Sequence, residues 1–171
     1  MDPVKPRLAT VWLGGCSGSH MSFLDLDEAL LDLAARVSLV YSPIADVKRF
    51  PEQVDIALVE GPVVNREQIE EVRRIRERTR VLIAFGDCAV TGNISTLRNS
   101  IPLATVVGES YPEGMKFDPV LPKLLNTAVP LQEVVHINHY LPGCPPSAAA
   151  IAAQVQSLLA GEGLTEPRRF G

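Results

Sequence analysis

Cysteine is scarce in this chain of 171 residues: there are three, Cys16, Cys88 and Cys144. So small and odd a number argues against a disulfide framework and for metal binding or free thiols in a reducing compartment. A basic block is missing too. The net charge is -4 and the pI about 5.4. The densest run of positive charge, Arg73, Arg74, Arg76, Arg78 and Arg80, is interleaved with Glu70, Glu71 and Glu77. That pattern is the solvated face of a helix, which argues against a nucleic-acid partner. No apolar run approaches the length of a bilayer span. The first residues, Met1-Asp-Pro-Val-Lys-Pro-Arg-Leu8, carry neither an apolar signal region nor a twin arginine. The expectation is a cytoplasmic protein without membrane contact, unless it travels attached to an exported partner. Internal repeats are absent, and low complexity is confined to Ala148-Ala149-Ala150.

What is present suits a folded globule. Apolar residues make up 46% of the chain, and the length predicts one domain over residues 1–171. Short apolar runs at Leu8–Trp12, Ser38–Tyr41, Ile56–Val59, Val81–Phe85 and Val134–Ile137 read as strands, several of them ended by Gly or Pro. Between them lie helical patterns. One runs from Leu24 to Val37, with Leu24, Leu26, Ala29, Leu30, Leu33 and Ala34 on one face. A second starts at Asn65, whose side chain can cap while Gln68 reaches back, and runs to about Thr79. A third spans Ser147 to Leu159, with Ile151, Val155, Leu158 and Leu159 as its buried stripe and Gly161 as its stop. Alternating strands and helices predict an α/β fold: a doubly wound parallel sheet of about five strands, flavodoxin-like. Residues 93–122 fit poorly. They hold Pro102, Pro112, Pro119 and Pro122, and a loop so long is usually functional, covering a site or meeting a partner.

Each cysteine lies in a Gly/Pro-rich turn after a strand. The turns are Trp12-Leu-Gly-Gly-Cys-Ser-Gly-Ser-His20, Phe85-Gly-Asp-Cys-Ala-Val-Thr-Gly92 and Leu141-Pro-Gly-Cys-Pro-Pro-Ser147. In an open parallel sheet ligands bind beyond the carboxyl ends of the strands, so all three thiols should meet at one edge. Glu60, after the third strand, points there as well. Iron–sulfur clusters are held by thiolates, usually four; glycine lets backbone approach a bulky group. Zinc is the competing metal, but its sites usually bring a tight pair of ligands, and only half of such a pair is here. The fourth ligand is expected three residues after Cys16, where Ser19 stands. His20 beside it is either a ligand or a satisfied structural histidine. His136 and His139 receive no role. Glu60 is either a solvated loop carboxylate or a buried proton carrier.

The segments Trp12-Leu-Gly-Gly-Cys-Ser-Gly-Ser-His-Met-Ser-Phe-Leu-Asp25, Val59-Glu-Gly-Pro62, Gly86-Asp-Cys-Ala-Val-Thr-Gly-Asn93 and Leu141-Pro-Gly-Cys-Pro-Pro146 resemble the small subunit of nickel–iron hydrogenases. The likeness is strongest to the short small subunit of the cytosolic, bidirectional NAD-reducing type, and it runs from about residue 8 to 160. It implies that Cys16, Cys88 and Cys144 ligate a 4Fe-4S cluster proximal to a nickel–iron centre carried by a separate large subunit. It also implies that Glu60 lies near the large-subunit interface, with a role there or in proton transfer. Gly15, Gly18, His20, Thr91 and Pro145 would shape the cluster pocket. Electrons would pass to a diaphorase bearing FMN and further iron–sulfur clusters. The chain alone should have no hydrogen activity; as a subunit it would serve a hydrogen:NAD+ oxidoreductase. Ser19 departs from the family, where a cysteine completes Cys-x-x-Cys. The outcomes open at this position are oxygen ligation, a recruited carboxylate or water, loss of one iron, or no cluster.

Two rival readings stand beside this one. The fold permits an FMN-binding electron-transfer module, with or without a cluster, although no Ser/Thr-rich phosphate loop follows the first strand. The cluster subunit of respiratory NADH dehydrogenase resembles this chain in fold, but it uses two adjacent cysteines, and Cys16 is followed by Ser17.

Overall fold

The structure, a computed structural model, describes residues 5–113 and 120–161. In chain order the elements are β1 (Arg7–Trp12), α1 (Gly18–Leu24), α2 (Glu28–Arg36), β2 (Ser38–Tyr41), β3 (Val54–Glu60), β4 (Val63–Asn65), α3 (Arg66–Arg78), β5 (Thr79–Phe85), α4 (Asp87–Thr91), α5 (Asn93–Thr96), α6 (Leu103–Ser110), β6 (Leu124–Val129), β7 (His139–Leu141) and α7 (Ala148–Leu159). Single 3-10 turns occupy Leu97–Ser100 and Leu131–Glu133. Strands β2, β1, β3, β5 and β7 form one five-stranded sheet in that order, every pairing parallel. Counted within the sheet alone, this is the 2-1-3-4-5 order of the flavodoxin-like fold, as expected.

Side-chain alternation along the central strands separates two cores. Ala9, Val11, Ala57, Val59, Leu82 and Ala84 face one side, where Val72 and Ile75 of α3 and Ala89 and Val90 of α4 cover them. Leu8, Ile56, Leu58, Ile83 and Phe85 face the other, under Phe23 of α1 and Ile151 and Val155 of α7. Because both faces are covered, these strands read as unbroken apolar runs. The caps follow the sequence closely. The Asn65 side chain accepts from the Gln68 N–H at 2.9 Å. The Gln68 side chain reaches back one residue further than expected, accepting from Val64 N–H at 2.9 Å. Ser147 caps α7 through Ala150 N–H at 3.2 Å, and Gly161 follows its end with φ +72°.

Three expectations are corrected. The helix anticipated from Leu24 to Val37 is the shorter α2, Glu28–Arg36, separated from the end of α1 at Leu24 by a break at Asp27, whose φ is +52°. Leu24, Ala29 and Ala34 are exposed, Leu26 is buried, and Leu30 and Leu33 are half-buried against the α7-side core. The fifth strand is His139–Leu141, not Val134–Ile137. There the backbone closes on itself: the N–H groups of Val134 and Val135 both donate to Leu131 O, which leaves them nothing for a ladder. Asn138 then bridges to β5, its N–H donating to Leu82 O and its Oδ1 accepting from Leu82 N–H. Finally, the region 93–122 is not one loop. It holds α5, the turn at Leu97–Ser100 and α6, and it leads to β6, which pairs antiparallel with β4. Pro119 and Gly114 of that stretch lie outside the described residues. Among the described residues, no helix is long and apolar enough to cross a membrane.

Candidate metal centre

Cys16 lies between β1 and α1, Cys88 within α4 immediately after β5, and Cys144 between β7 and α7. The topology therefore brings all three to the carboxyl edge of the sheet, and Cys16 follows β1, one of the two strands that flank the switch in strand order. There Cys16, Gly18, Ser19, Glu60, Asp87, Cys88, Gly143, Cys144 and Pro145 line one hollow of about 330 Å³ counted out to its open mouth. Cys16 and Cys144 are exposed, Cys88 is half-buried, and none is in a disulfide. Gly18 lies close against the thiol: a Cβ there would meet Cys16 Sγ at 3.3 Å, so the sulfur would have to shift.

The turns are fastened to one another. Asp87 N–H donates to Gly143 O at 2.9 Å, and Asp87 Oδ1 accepts from Gly143 N–H at 2.7 Å. This reciprocal pair joins the Cys88 turn to the Cys144 turn. The Ser22 hydroxyl donates to Pro146 O at 2.5 Å, tying α1 to the same turn; the Cys144–Pro145 bond is cis. Gly86, with φ +83°, lies against Ser19: a Cβ there would stand 2.2 Å from Ser19 Oγ.

Glu60 turns out to be buried, 2% exposed at the end of β3. Its Oε1 accepts from Ser19 N–H at 3.2 Å, and its Oε2 accepts from His20 N–H at 2.9 Å and meets His20 Nδ1 at 2.5 Å. A carboxylate is thus placed against the free N–H groups that open α1, the partner that helix ends favour. Gly15 serves this packing, since its neighbours are Gly61 and Glu60 Oε1 rather than a thiol. The His20 ring lies within a 6.0 Å centroid distance of both Trp12 and Phe85. His20 is outside the lining of the hollow, and its Nε2 is buried without a hydrogen-bond partner among the described residues. Thr91 is outside the lining as well. Its hydroxyl donates to Asp87 O at 3.0 Å and accepts from Asn93 N–H at 3.3 Å, which steadies the end of α4. The residue that sequence reasoning missed is Asp87. Its only sequence signal was an acid directly before a cysteine in a glycine-bounded turn.

Burial pushes the Cys88 thiol above its ordinary range, and negative charge at Cys16, Cys144, Glu60 and Asp87 pushes it further. Without a cation, then, these surroundings disfavour the Cys88 thiolate; a bound metal would reverse that preference and take the thiol as thiolate. Among the described residues, no group of His, Cys, Asp and Glu is disposed to hold a metal ion. A larger group that reaches three thiols across the hollow fits the donor chemistry, since soft thiolates are what iron–sulfur clusters use.

Fold and hollow together define a class: a flavodoxin-like α/β domain that presents three thiols and a serine hydroxyl at its sheet edge. Residues 16–158 match the family of the NADH ubiquinone oxidoreductase 20 Kd subunit, and the chain belongs to that family. It is 36% identical to the NAD-reducing hydrogenase HoxS subunit delta of Cupriavidus necator, over 94% of this chain and 85% of that one. It is 35% identical to a component of the F420-non-reducing hydrogenase of Methanothermobacter marburgensis, covering 95% of this chain but only 56% of that longer one. Among solved structures it superposes on a chain of an NAD+-reducing [NiFe]-hydrogenase in the H2-reduced state with a TM-score of 0.89 at 38% identity, covering 96% of each. A [NiFeSe] hydrogenase of Desulfovibrio vulgaris Hildenborough, at 16% identity and a TM-score of 0.62, shares the fold. The resemblance to hydrogenase small subunits of the NAD-reducing type thus holds over nearly the whole chain. The family model carries the name of the NADH-linked subunit that the spacing at Cys16 disfavoured, while these relatives are hydrogenase subunits.

Proposed function

We propose that this chain is the electron-transfer subunit of a cytoplasmic NAD-reducing nickel–iron hydrogenase. Cys16, Cys88 and Cys144 hold an iron–sulfur cluster proximal to the nickel–iron centre of a partner large subunit, and a flavin-bearing diaphorase lies further along the path. One observation carries this reading: three thiols distant in sequence line a single hollow, in a chain 38% identical to part of an NAD+-reducing [NiFe]-hydrogenase along nearly its whole length. When bound, the cluster supplies one-electron redox chemistry at a potential set by its ligands, hydrogen bonds and burial.

The chain's own residues supply position and insulation. The three cysteines bind as thiolates from three separate segments that follow β1, β5 and β7, so the site exists only in the folded sheet. Asp87 and Gly143 hold two of those segments together, and Ser22 fastens α1 to one of them. Glu60, through Ser19 and His20, fixes the start of α1 against β3. Phe85, Leu141 and Phe23 lie in the apolar core behind the edge and keep water from that side. The open mouth suits coverage by another chain, and the turn at Cys16 is bracketed by two exposed apolar side chains, Trp12 at 43% and Met21 at 55%.

The test is to isolate the chain with whatever binds it and measure iron, acid-labile sulfide and flavin, then add hydrogen. The expected result is iron and sulfide in equal amounts, a hydrogen-reducible electron paramagnetic resonance signal in the complex, and no hydrogen uptake by the separated chain. Flavin absorbance near 450 nm without iron would replace this reading with the flavin module. Hydrogen oxidation by the chain alone would also overturn it.

A further inference from the structure

Ser19 stands three residues after Cys16, and its surroundings show what it can do there. It is only 6% exposed, yet it lines the same hollow as Cys16, Cys88 and Cys144. Its backbone is held by Glu60 Oε1 at 3.2 Å, and Gly86 gives its side chain room by lacking a Cβ. The neighbouring hydroxyls are spent on carbonyls: Ser17 Oγ donates to Cys16 O and Ser22 Oγ to Pro146 O, both at 2.5 Å. The Ser19 hydroxyl makes no hydrogen bond among the described residues. The hydroxyl is thus uncommitted within the chain at the wall of the hollow, where a ligand can take it.

Rival donors at this corner are already engaged. Both Glu60 oxygens carry N–H or imidazole partners. His20 Nδ1 is on Glu60, and its ring lies outside the lining. Asp87 lines the hollow with one oxygen committed to Gly143, so its second oxygen is the competitor to be tested.

The geometry points to Ser19 Oγ as the fourth ligand, giving a cluster held by three thiolates and one serine oxygen, with one iron distinct from the rest. This inference rests on the cluster reading of the hollow. On ligation the iron–oxygen bond forms, the O–H bond breaks, and the proton passes to water at the open mouth; no oxidation state changes. The harder oxygen donor suits ferric iron better than a thiolate does, so the potential should lie below that of a four-cysteine version.

The experiment uses the intact complex, grown on 57Fe, with Ser19→Cys, Ser19→Ala and Asp87→Asn variants, read by Mössbauer spectroscopy, electron paramagnetic resonance and iron content. The native chain should hold about four irons with one distinct subsite. Ser19→Ala should drop to about three, with a signal in the oxidised state. Ser19→Cys should abolish the distinct subsite and raise the potential, and Asp87→Asn should keep it. A native spectrum unchanged by Ser19→Ala would overturn serine ligation; loss of the distinct subsite in Asp87→Asn would transfer the role to Asp87. Iron in Ser19→Cys but none in the native chain would also overturn serine ligation, while leaving the three-cysteine hollow intact. No iron in any form, Ser19→Cys included, would remove the cluster reading itself.

Discussion

Replacing Glu60 measures how much the edge of the sheet depends on one buried carboxylate. Its oxygens receive two backbone N–H groups and one imidazole nitrogen. Hydrogen bonds to a charged group contribute about 1.5–3 kcal/mol each, and a buried donor left unpaired costs about 1–3 kcal/mol. Glu60→Gln keeps the side chain's shape. Its amide oxygen is best placed at the Oε2 position, where two partners meet, which turns the amide NH2 toward Ser19 N–H. One bond is lost, and the survivors lose their charge. The expected cost is about 2–3 kcal/mol. Glu60→Ala removes all three acceptor contacts. Water can enter from the adjoining hollow, so the cost falls short of a simple sum, at about 4–6 kcal/mol. Urea unfolding of the metal-free chain is the assay. With an m-value of about 2 kcal/mol/M, Glu60→Gln should lower the midpoint by roughly 1 M and Glu60→Ala by roughly twice that, at unchanged m. A Glu60→Ala midpoint within about 0.3 M of the native one would refute the claim that this carboxylate anchors α1. So would a Glu60→Gln cost equal to that of Glu60→Ala, because the effect would then be charge alone.

Two further outcomes follow from single positions. Gly86→Ala forces a Cβ into a backbone conformation with φ +83° and ψ 159° and to within 2.2 Å of Ser19 Oγ. It should destabilise by about 3 kcal/mol or more and lower the iron retained by the complex; an unchanged unfolding midpoint would show that the Ser19–Gly86 contact is not tight. On α3, outside the lining of the hollow, burial raises the Glu71 carboxyl above its ordinary value, Glu67 raises it further, and Arg74 opposes both. A raised value in the folded state means that the folded chain holds this proton more tightly than the unfolded one. That contribution is fully present below the unfolded carboxyl value of about 4.3 and is lost as pH rises through the folded value. Glu71→Gln should therefore stabilise the chain at pH 7, with the gain vanishing near pH 4. Urea midpoints at the two pH values test this, and a difference independent of pH would contradict it.

Much of this molecule was legible in its residues because local physics wrote it there. The apolar runs at Leu8–Trp12, Ile56–Val59 and Val81–Phe85 read as strands, the last of them as one covered on both faces. Asn65 and Ser147 mark helix starts through their own side chains, and three cysteines in Gly/Pro turns after strands imply convergence once the sheet is parallel. Tertiary structure decided what depends on partners remote in sequence. Asn138 and the Leu131 carbonyl moved the last strand past Val134–Ile137, a choice made by competing backbone bonds rather than by propensity. Pairing with β4 turned a proline-rich stretch toward strand β6. Glu60 could be read as solvated or buried until Ser19 and His20 N–H groups, forty residues away on α1, were seen to need an acceptor. Asp87 gained its importance only from Gly143. Residue types and spacing thus determined which atoms were available for chemistry. The folded sheet determined which of them face one hollow, since distance and burial are set by contacts that no local pattern records.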